Sequence, residues 1–165
     1  MNTTFERPVR IRFQHCDPAG IVFFPQCLAM TNALVEDWFN EGMQIDYAQM
    51  IAQRRVGLPI VKLDCEFSRP SQMGETITLS LSVTKVGRRS ISIEIVGRHG
   101  DEIRFSAKQV LVTTSLESGT SIDIPADIAS SPSNATTVAA ITDAGGASGS
   151  CPRTKRQPSA PVRPP

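Results

Sequence analysis

The chain has 165 residues, of which 40% are hydrophobic and 20% charged, the size and balance of one soluble domain with a single core. Seventeen Lys and Arg stand against sixteen Asp and Glu, a net charge of +1, so no overall field exists to draw in nucleic acid or an acidic membrane surface. The opening MNTTFERPVR has no apolar run behind its basic residues, and no stretch approaches the roughly eighteen uninterrupted apolar residues of a membrane span, so the expected location is the cytoplasm.

Taken in chain order, Val9, Ile11 and Phe13 alternate with Arg10, Arg12 and Gln14 and predict a first strand. A Pro- and Gly-containing segment, His15 to Pro25, follows. Pro25 suits a first helical turn, where a missing N–H costs nothing. Leu28, Val35, Trp38 and Phe39 then recur at helical spacing, Met30 and Leu34 broaden the stripe, and Gly42 is placed to end it. This predicts a helix of about eighteen residues, about 27 Å long at 1.5 Å per residue. A short second helix is expected near Asp46 to Gln53. Gly57 opens an apolar-rich run from Leu58 to Phe67. Ile77, Leu79, Leu81 and Val83 alternate with Thr and Ser, Ile91, Ile93 and Ile95 do so after a break at Gly87, and Ile103, Phe105 and Ala107 after a turn at His99-Gly100-Asp101.

The expected fold is therefore α+β: about five strands, mostly antiparallel, wrapped around one long helix that covers one sheet face. Open sheet edges would remain, and edge-to-edge dimerisation is the usual remedy. The composition changes near residue 128. From 129 to 165 the chain holds six of the twelve prolines, no aromatic residue, and Val138, Ile141 and Val162 as its large aliphatics. Burial there cannot offset an ordering cost of about 1 to 2 kcal/mol per residue, so residues 1–128 are expected to form the domain and 129–165 a disordered tail. Cys16, Cys27, Cys65 and Cys151 contain no C-x-x-C pair, and His15 and His99 add no ligand cluster, so reduced thiols and no structural zinc are expected.

The chemistry concentrates in His15-Cys16-Asp17-Pro18-Ala19-Gly20-Ile21-Val22-Phe23-Phe24-Pro25. An Asp in such a loop, just before a helix start, sets a carboxylate beside backbone N–H groups that have no intrahelical partner. That pairing suits acyl transfer: the N–H groups would hold an oxyanion while the carboxylate attacks or deprotonates water. An Asp before Pro is also a common turn or cap residue. His15 lies two residues from Asp17 and would share its face in an extended strand, whereas His15 and Cys16, as neighbours, would point to opposite faces, which disfavours a Cys/His nucleophile.

The stretch F-x-x-C-D-P-A-G-I-V-x-x-P resembles the active-site segment of the 4-hydroxybenzoyl-CoA thioesterase family of hotdog-fold acyl-CoA thioesterases. Gly57-Leu58-Pro59-Ile60-Val61 and Arg88-Arg89-Ser90 add to the resemblance, which covers roughly residues 7 to 128. It implies hydrolysis of an acyl-CoA, with Asp17 as nucleophile or general base and the backbone N–H of Phe24 polarising the thioester carbonyl. The side-chain identity of Phe24 should then matter little. Gly20, Ile21 and Val22 would shape the pocket, Asn32, Pro59 and Ser90 would lie in the substrate site, and Arg88 and Arg89 would meet the coenzyme A phosphates. It also implies no cofactor beyond the substrate's own coenzyme A, and dimers or tetramers with the pocket between subunits.

Two positions depart from the family pattern. Cys27 stands where an aromatic residue is expected, and Asn32 where hydroxybenzoyl-specific members place an acid, so an aryl-CoA is expected without a fixed acyl group. Two alternatives stay open, a hotdog dehydratase or hydratase and a non-catalytic acyl-CoA-binding protein. The helix carries no histidine, which argues against the first.

Overall fold

The computed structural model describes residues 4–131. The tail reading for residues 132–165 lies outside the described residues. In chain order come β1 (Phe5–Arg10), α1 (Phe24–Asp37), α2 (Tyr47–Ala52), β2 (Val56–Gly57), β3 (Ile60–Phe67), β4 (Thr76–Val86), β5 (Ser90–His99), β6 (Glu102–Val112), β7 (Thr114–Ser115) and α3 (Ala126–Ala129). α3 carries the fold one residue past the expected boundary at 128, and Ile128 and Ser131 are buried.

β4, β5 and β6 form an antiparallel meander because their alternating residues satisfy one buried face. Ile77, Leu79, Leu81 and Val83, then Ile91, Ile93 and Ile95, then Phe105, Ala107 and Leu111 all point into the core. Each fully buried aliphatic side chain contributes about 1.5 to 3 kcal/mol relative to exposure. β1 adds to β4 and β3 adds to β6, both antiparallel, giving the order β1-β4-β5-β6-β3. β2 and β7 form a separate two-stranded sheet.

α1 lies on the buried face, where Gln109 Nε2 of β6 donates to Thr31 Oγ1 of the helix at 3.0 Å. Its buried stripe is Cys27, Met30, Thr31, Leu34 and Val35, and a π-helical turn over Trp38–Gly42 continues it through Trp38 and Phe39. Leu28, expected in that stripe, is only half-buried. The chain then reverses with Gln44, not Gly42, in the left-handed region at φ 59°. Asp46 caps α2 by accepting from the Gln49 N–H at 2.8 Å.

Two strand expectations need correction. The first strand ends at Arg10; Ile11 is buried and still bonds the Glu75 carbonyl and the Gly74 N–H, where the neighbouring chain turns at Gly74 with φ +92°, but Phe13 sits in a 3₁₀ turn and is 83% exposed. The run from Leu58 is divided by Pro59, which has no N–H to give a ladder, so Gly57 belongs to β2 and the long strand begins at Ile60. The remaining plan, one long helix wrapped by a five-stranded antiparallel sheet, is the hotdog architecture.

Gly97 pairs with Phe105 across β5 and β6, and the Phe105 ring covers it: a Cβ at 97 would stand 2.6 Å from Phe105 Cε1 and 3.2 Å from Leu79 Cδ2. Gly97→Ala is therefore expected to cost about 1 to 3 kcal/mol, read as a lowered midpoint in thermal or urea denaturation, by forcing a large ring out of its packed position.

Candidate active site

The loop joining β1 to α1 is built on a tight turn. Asp17 Oδ1 accepts from the Ala19 N–H at 2.9 Å, the Gly20 N–H returns to the Asp17 carbonyl at 3.0 Å, and Gly20 takes φ +76°, which favours glycine. The Asp17 N–H donates to the Ile21 carbonyl and the Phe23 N–H to the His15 carbonyl, closing the loop at its base. Val22 donates to the Ser71 carbonyl at 2.9 Å and Gly20 accepts from the Met73 N–H at 3.0 Å, which docks the loop on the segment between β3 and β4. Asp17 is half-buried, so the turn role and an acyl-transfer role are both compatible with its position: one carboxylate oxygen is committed to the turn.

α1 begins directly after this loop with Pro25 in its first turn and no side chain capping it. The Gln26 N–H is taken by the Phe23 carbonyl. An uncapped helix start offers N–H groups and the positive end of the helix dipole to an incoming carbonyl, and Phe24 supplies the first of them.

Beside the helix start lies a cavity of about 280 Å³. Val22, Phe24, Cys27, Phe67 and Phe105 form its apolar walls, and Ser68, Arg69, Ser71 and Arg104 its polar side. Phe24 packs edge-on against Phe67, with ring centroids 6.4 Å apart. Its ring is thus part of the cavity wall, beside the backbone N–H that the sequence singled out. Burial, followed by the neighbouring Cys65, pushes the Cys27 thiol up to about 11, so it is protonated at neutral pH and acts as wall rather than nucleophile.

Arg104 holds the polar side in place. It is buried; its Nη2 donates to Glu75 Oε1 at 2.9 Å and approaches Glu102 Oε2 at 3.3 Å, and its Nη1 bonds the Pro70 carbonyl. Its own carbonyl accepts from the N–H groups of Ser68 and Arg69. One residue of β6 thus ties down both ends of the 68–75 segment on which the Asp17 loop rests.

His15 does not turn to Asp17. Its Nδ1 accepts from the Arg12 N–H at 3.0 Å, and its ring lines a second cavity of about 280 Å³ between β1 and the other side of α1. Burial, then the Arg12 charge, lowers its pKa and favours the neutral ring. Cys16, Cys27 and Cys65 are free thiols. Among the described residues no three His, Cys, Asp or Glu side chains are grouped to hold a metal ion, and no helix is long and apolar enough to cross a membrane.

The remaining residues expected in the site gather elsewhere. Pro59 accepts from the Val112 N–H at 3.1 Å, Val112 pairs with Ser90, and the Thr113 N–H donates to the Arg89 carbonyl, so Pro59, Arg88, Arg89 and Ser90 share one end of the sheet. Asp17, Gly20, Ile21, Val22 and Phe24 occupy the other end, where β3 finishes. The eight residues of β3 separate the two groups by about 27 Å. Asn32 is exposed on α1 and lines neither cavity of about 280 Å³. Reasoning from sequence did not single out Phe67, Arg104 or Asp123, whose carboxylate joins Arg88 and Arg89.

Comparison with known proteins gives the family and the fold. Residues 11–131 match the family model of the thioesterase-like superfamily, and the chain belongs to that family. It is 30% identical over 132 residues to a 4-hydroxybenzoyl-CoA thioesterase from Pseudomonas sp. (strain CBS-3), a match covering 72% of this chain and 89% of that protein. It is 31% identical over 93 residues to a 1,4-dihydroxy-2-naphthoyl-CoA hydrolase from Nostoc punctiforme, covering 56% of this chain and 61% of the relative; for the corresponding hydrolase of Acaryochloris marina the share of the relative is 60%. Among solved structures, a 1,4-dihydroxy-2-naphthoyl-CoA thioesterase from Synechocystis superposes with a TM-score of 0.70 at 20% identity, covering 76% of this chain and 93% of that one.

Removing the Arg104 guanidinium leaves Glu75 and the Pro70 carbonyl without their partner. Arg104→Met is expected to destabilise the protein by about 2 kcal/mol in urea denaturation, the cost of losing charge-assisted hydrogen bonds at a buried site.

Proposed function

We propose that the protein hydrolyses the thioester of an aryl-CoA to the free acid and coenzyme A. The observation that carries this reading is the position of Asp17 in a half-buried turn ahead of the uncapped start of α1, on the loop whose Val22 lines a cavity with aromatic walls. In the reaction the thioester carbonyl oxygen receives a hydrogen bond from the Phe24 N–H, and each such donor is worth about 3 to 4 kcal/mol to the oxyanion. Asp17 either adds to the carbonyl carbon, giving a mixed anhydride that water then opens, or takes a proton from the water that attacks. In both routes the C–S bond breaks and the sulfur leaves as coenzyme A thiol after protonation; the water oxygen ends in the acid, or in the Asp17 carboxylate when water opens the anhydride at the Asp17 carbonyl carbon.

The aryl preference rests on Phe24, Phe67 and Phe105 in the cavity wall, whose ring faces and edges pack well on a flat acyl group. It also agrees with the relatives, which are named for aryl-CoA substrates. Release of free thiol from a panel of aryl and aliphatic CoA esters tests it. Turnover is expected with the aryl esters and should fall at least about 100-fold in Asp17→Asn. Equal turnover in the variant would remove Asp17 from the mechanism, and preference for aliphatic esters would overturn the substrate class.

A second copy of the chain completes the site in this reading. β3 is the sheet edge and exposes Ile60, Val61, Leu63 and Phe67 by 40 to 61%, an apolar edge of the kind that pairs with another strand. A two-fold axis pairs two such edges antiparallel, which sets the Phe67 end of one protomer against the Ile60 end of the other. Asp17 of one protomer then meets Arg88 and Arg89 of its partner, closing the 27 Å gap found within one chain. Mixing Asp17→Asn with an Arg88→Ala/Arg89→Ala double variant, after unfolding and refolding together, should restore about a quarter of wild-type activity through heterodimers with one intact site. No recovery from two folded variants would mean that each site is built within one chain.

A further inference from the structure

At the β4–β5 hairpin two cations meet a single carboxylate. Arg88 Nε donates to Asp123 Oδ2 and Arg89 Nε to Asp123 Oδ1, each at 2.9 Å. Neighbouring side chains in extended backbone diverge, and these two converge because the hairpin turns and the carboxylate takes one bond from each. Asp123 is carried on a segment anchored to the hairpin. The Ile124 N–H donates to the Arg88 carbonyl, and the Thr113 N–H, flanked by the Ile122 bond to Thr113, donates to the Arg89 carbonyl, all at 2.9 Å. The hydrogen bonds from Arg89 and then Arg88 keep the Asp123 carboxyl below its ordinary pKa, so it is charged at neutral pH.

The charges do not cancel. One carboxylate offsets one of two guanidiniums, and each Arg spends its Nε, keeping η nitrogens for another partner; Arg89 Nη1 has a long contact of 3.4 Å to Ser121 Oγ. The Arg88 side chain is 78% exposed and that of Arg89 50%. Exposed ion pairs add little to stability. What the pair does provide is alignment: two flexible forks that would repel each other are fixed side by side around a remaining positive charge.

We infer that Asp123 is a positioning residue that gathers Arg88 and Arg89 into a preformed grip for the phosphates of the coenzyme A substrate. This rests on the thioesterase reading above. Asp123 also repels the phosphate, but at this exposure water and salt screen that repulsion, whereas ordering two long side chains in advance removes a cost that binding would otherwise carry.

The test compares wild type, Asp123→Asn and Asp123→Ala on one aryl group presented either as its CoA ester or as its N-acetylcysteamine thioester, which lacks the phosphates. In Asp123→Ala the KM for the CoA ester should rise about three- to tenfold with kcat unchanged, and Asp123→Asn, which keeps one acceptor oxygen, should fall between. Turnover of the short thioester and the melting temperature should not move. An unchanged or lowered KM for the CoA ester, or an equal loss on both thioesters, would overturn the positioning role. Wild type inactive on both thioesters would instead remove the thioesterase reading, and this inference with it.

Discussion

The packing of α1 on the concave face of the sheet is the contact on which the rest depends. Met30, Leu34, Val35, Trp38 and Phe39 meet the inward residues of β4, β5 and β6, and this burial fixes both the axis of the helix and its position along the strands. The start of α1 is thereby placed at the sheet end where β3 finishes and β4 begins. The loop carrying Asp17 must turn at that same end, and the 68–75 segment lies beneath it. The juxtaposition of the loop, the helix start and the cavity that Val22 and Phe24 line is a consequence of core packing rather than of contacts made by the loop alone.

Buried charge supplies the second constraint. Arg104 is enclosed, and enclosing a cation requires partners. Glu75, Glu102 and the Pro70 carbonyl take its two η nitrogens, while Nε is buried without a partner, and these contacts draw the 68–75 segment onto β6. The same contacts shape one wall of the cavity, so pairing a buried guanidinium and shaping the cavity are here a single event.

How much of this was legible in the sequence depends on the range of the cause. β4, β5 and β6 were legible because each has one dry and one wet face, which writes itself as alternation. α1 was legible from Pro25 and its apolar stripe, although Cys27 and Thr31 face the core where Leu28 was expected. The end of β1 was not, since it is set by the turn of the neighbouring chain at Gly74, which Ile11 still bonds. The Asp17 loop could be located because its residues are contiguous. The cavity could not, because Cys27, Phe67 and Arg104 come from separate elements, and neither could the contact of Asp123 with a hairpin 34 residues earlier. The two-residue strands β2 and β7 and the single turn of α3 are too short to show any period.

The order of strands has a further consequence. The middle of the sheet is a run of consecutive hairpins, while its two margins, β1 and β3, are the strands that lead into the Asp17 loop and into the cavity wall. Within one protomer a margin is held on one side only and opens by local fluctuation at lower cost than the centre, a cost that pairing with a second copy would raise for β3 and leave unchanged for β1. The loop that carries Asp17 thus follows the margin that opens most easily, and β1 would part from β4 while the central meander and its hydrophobic layer were still standing.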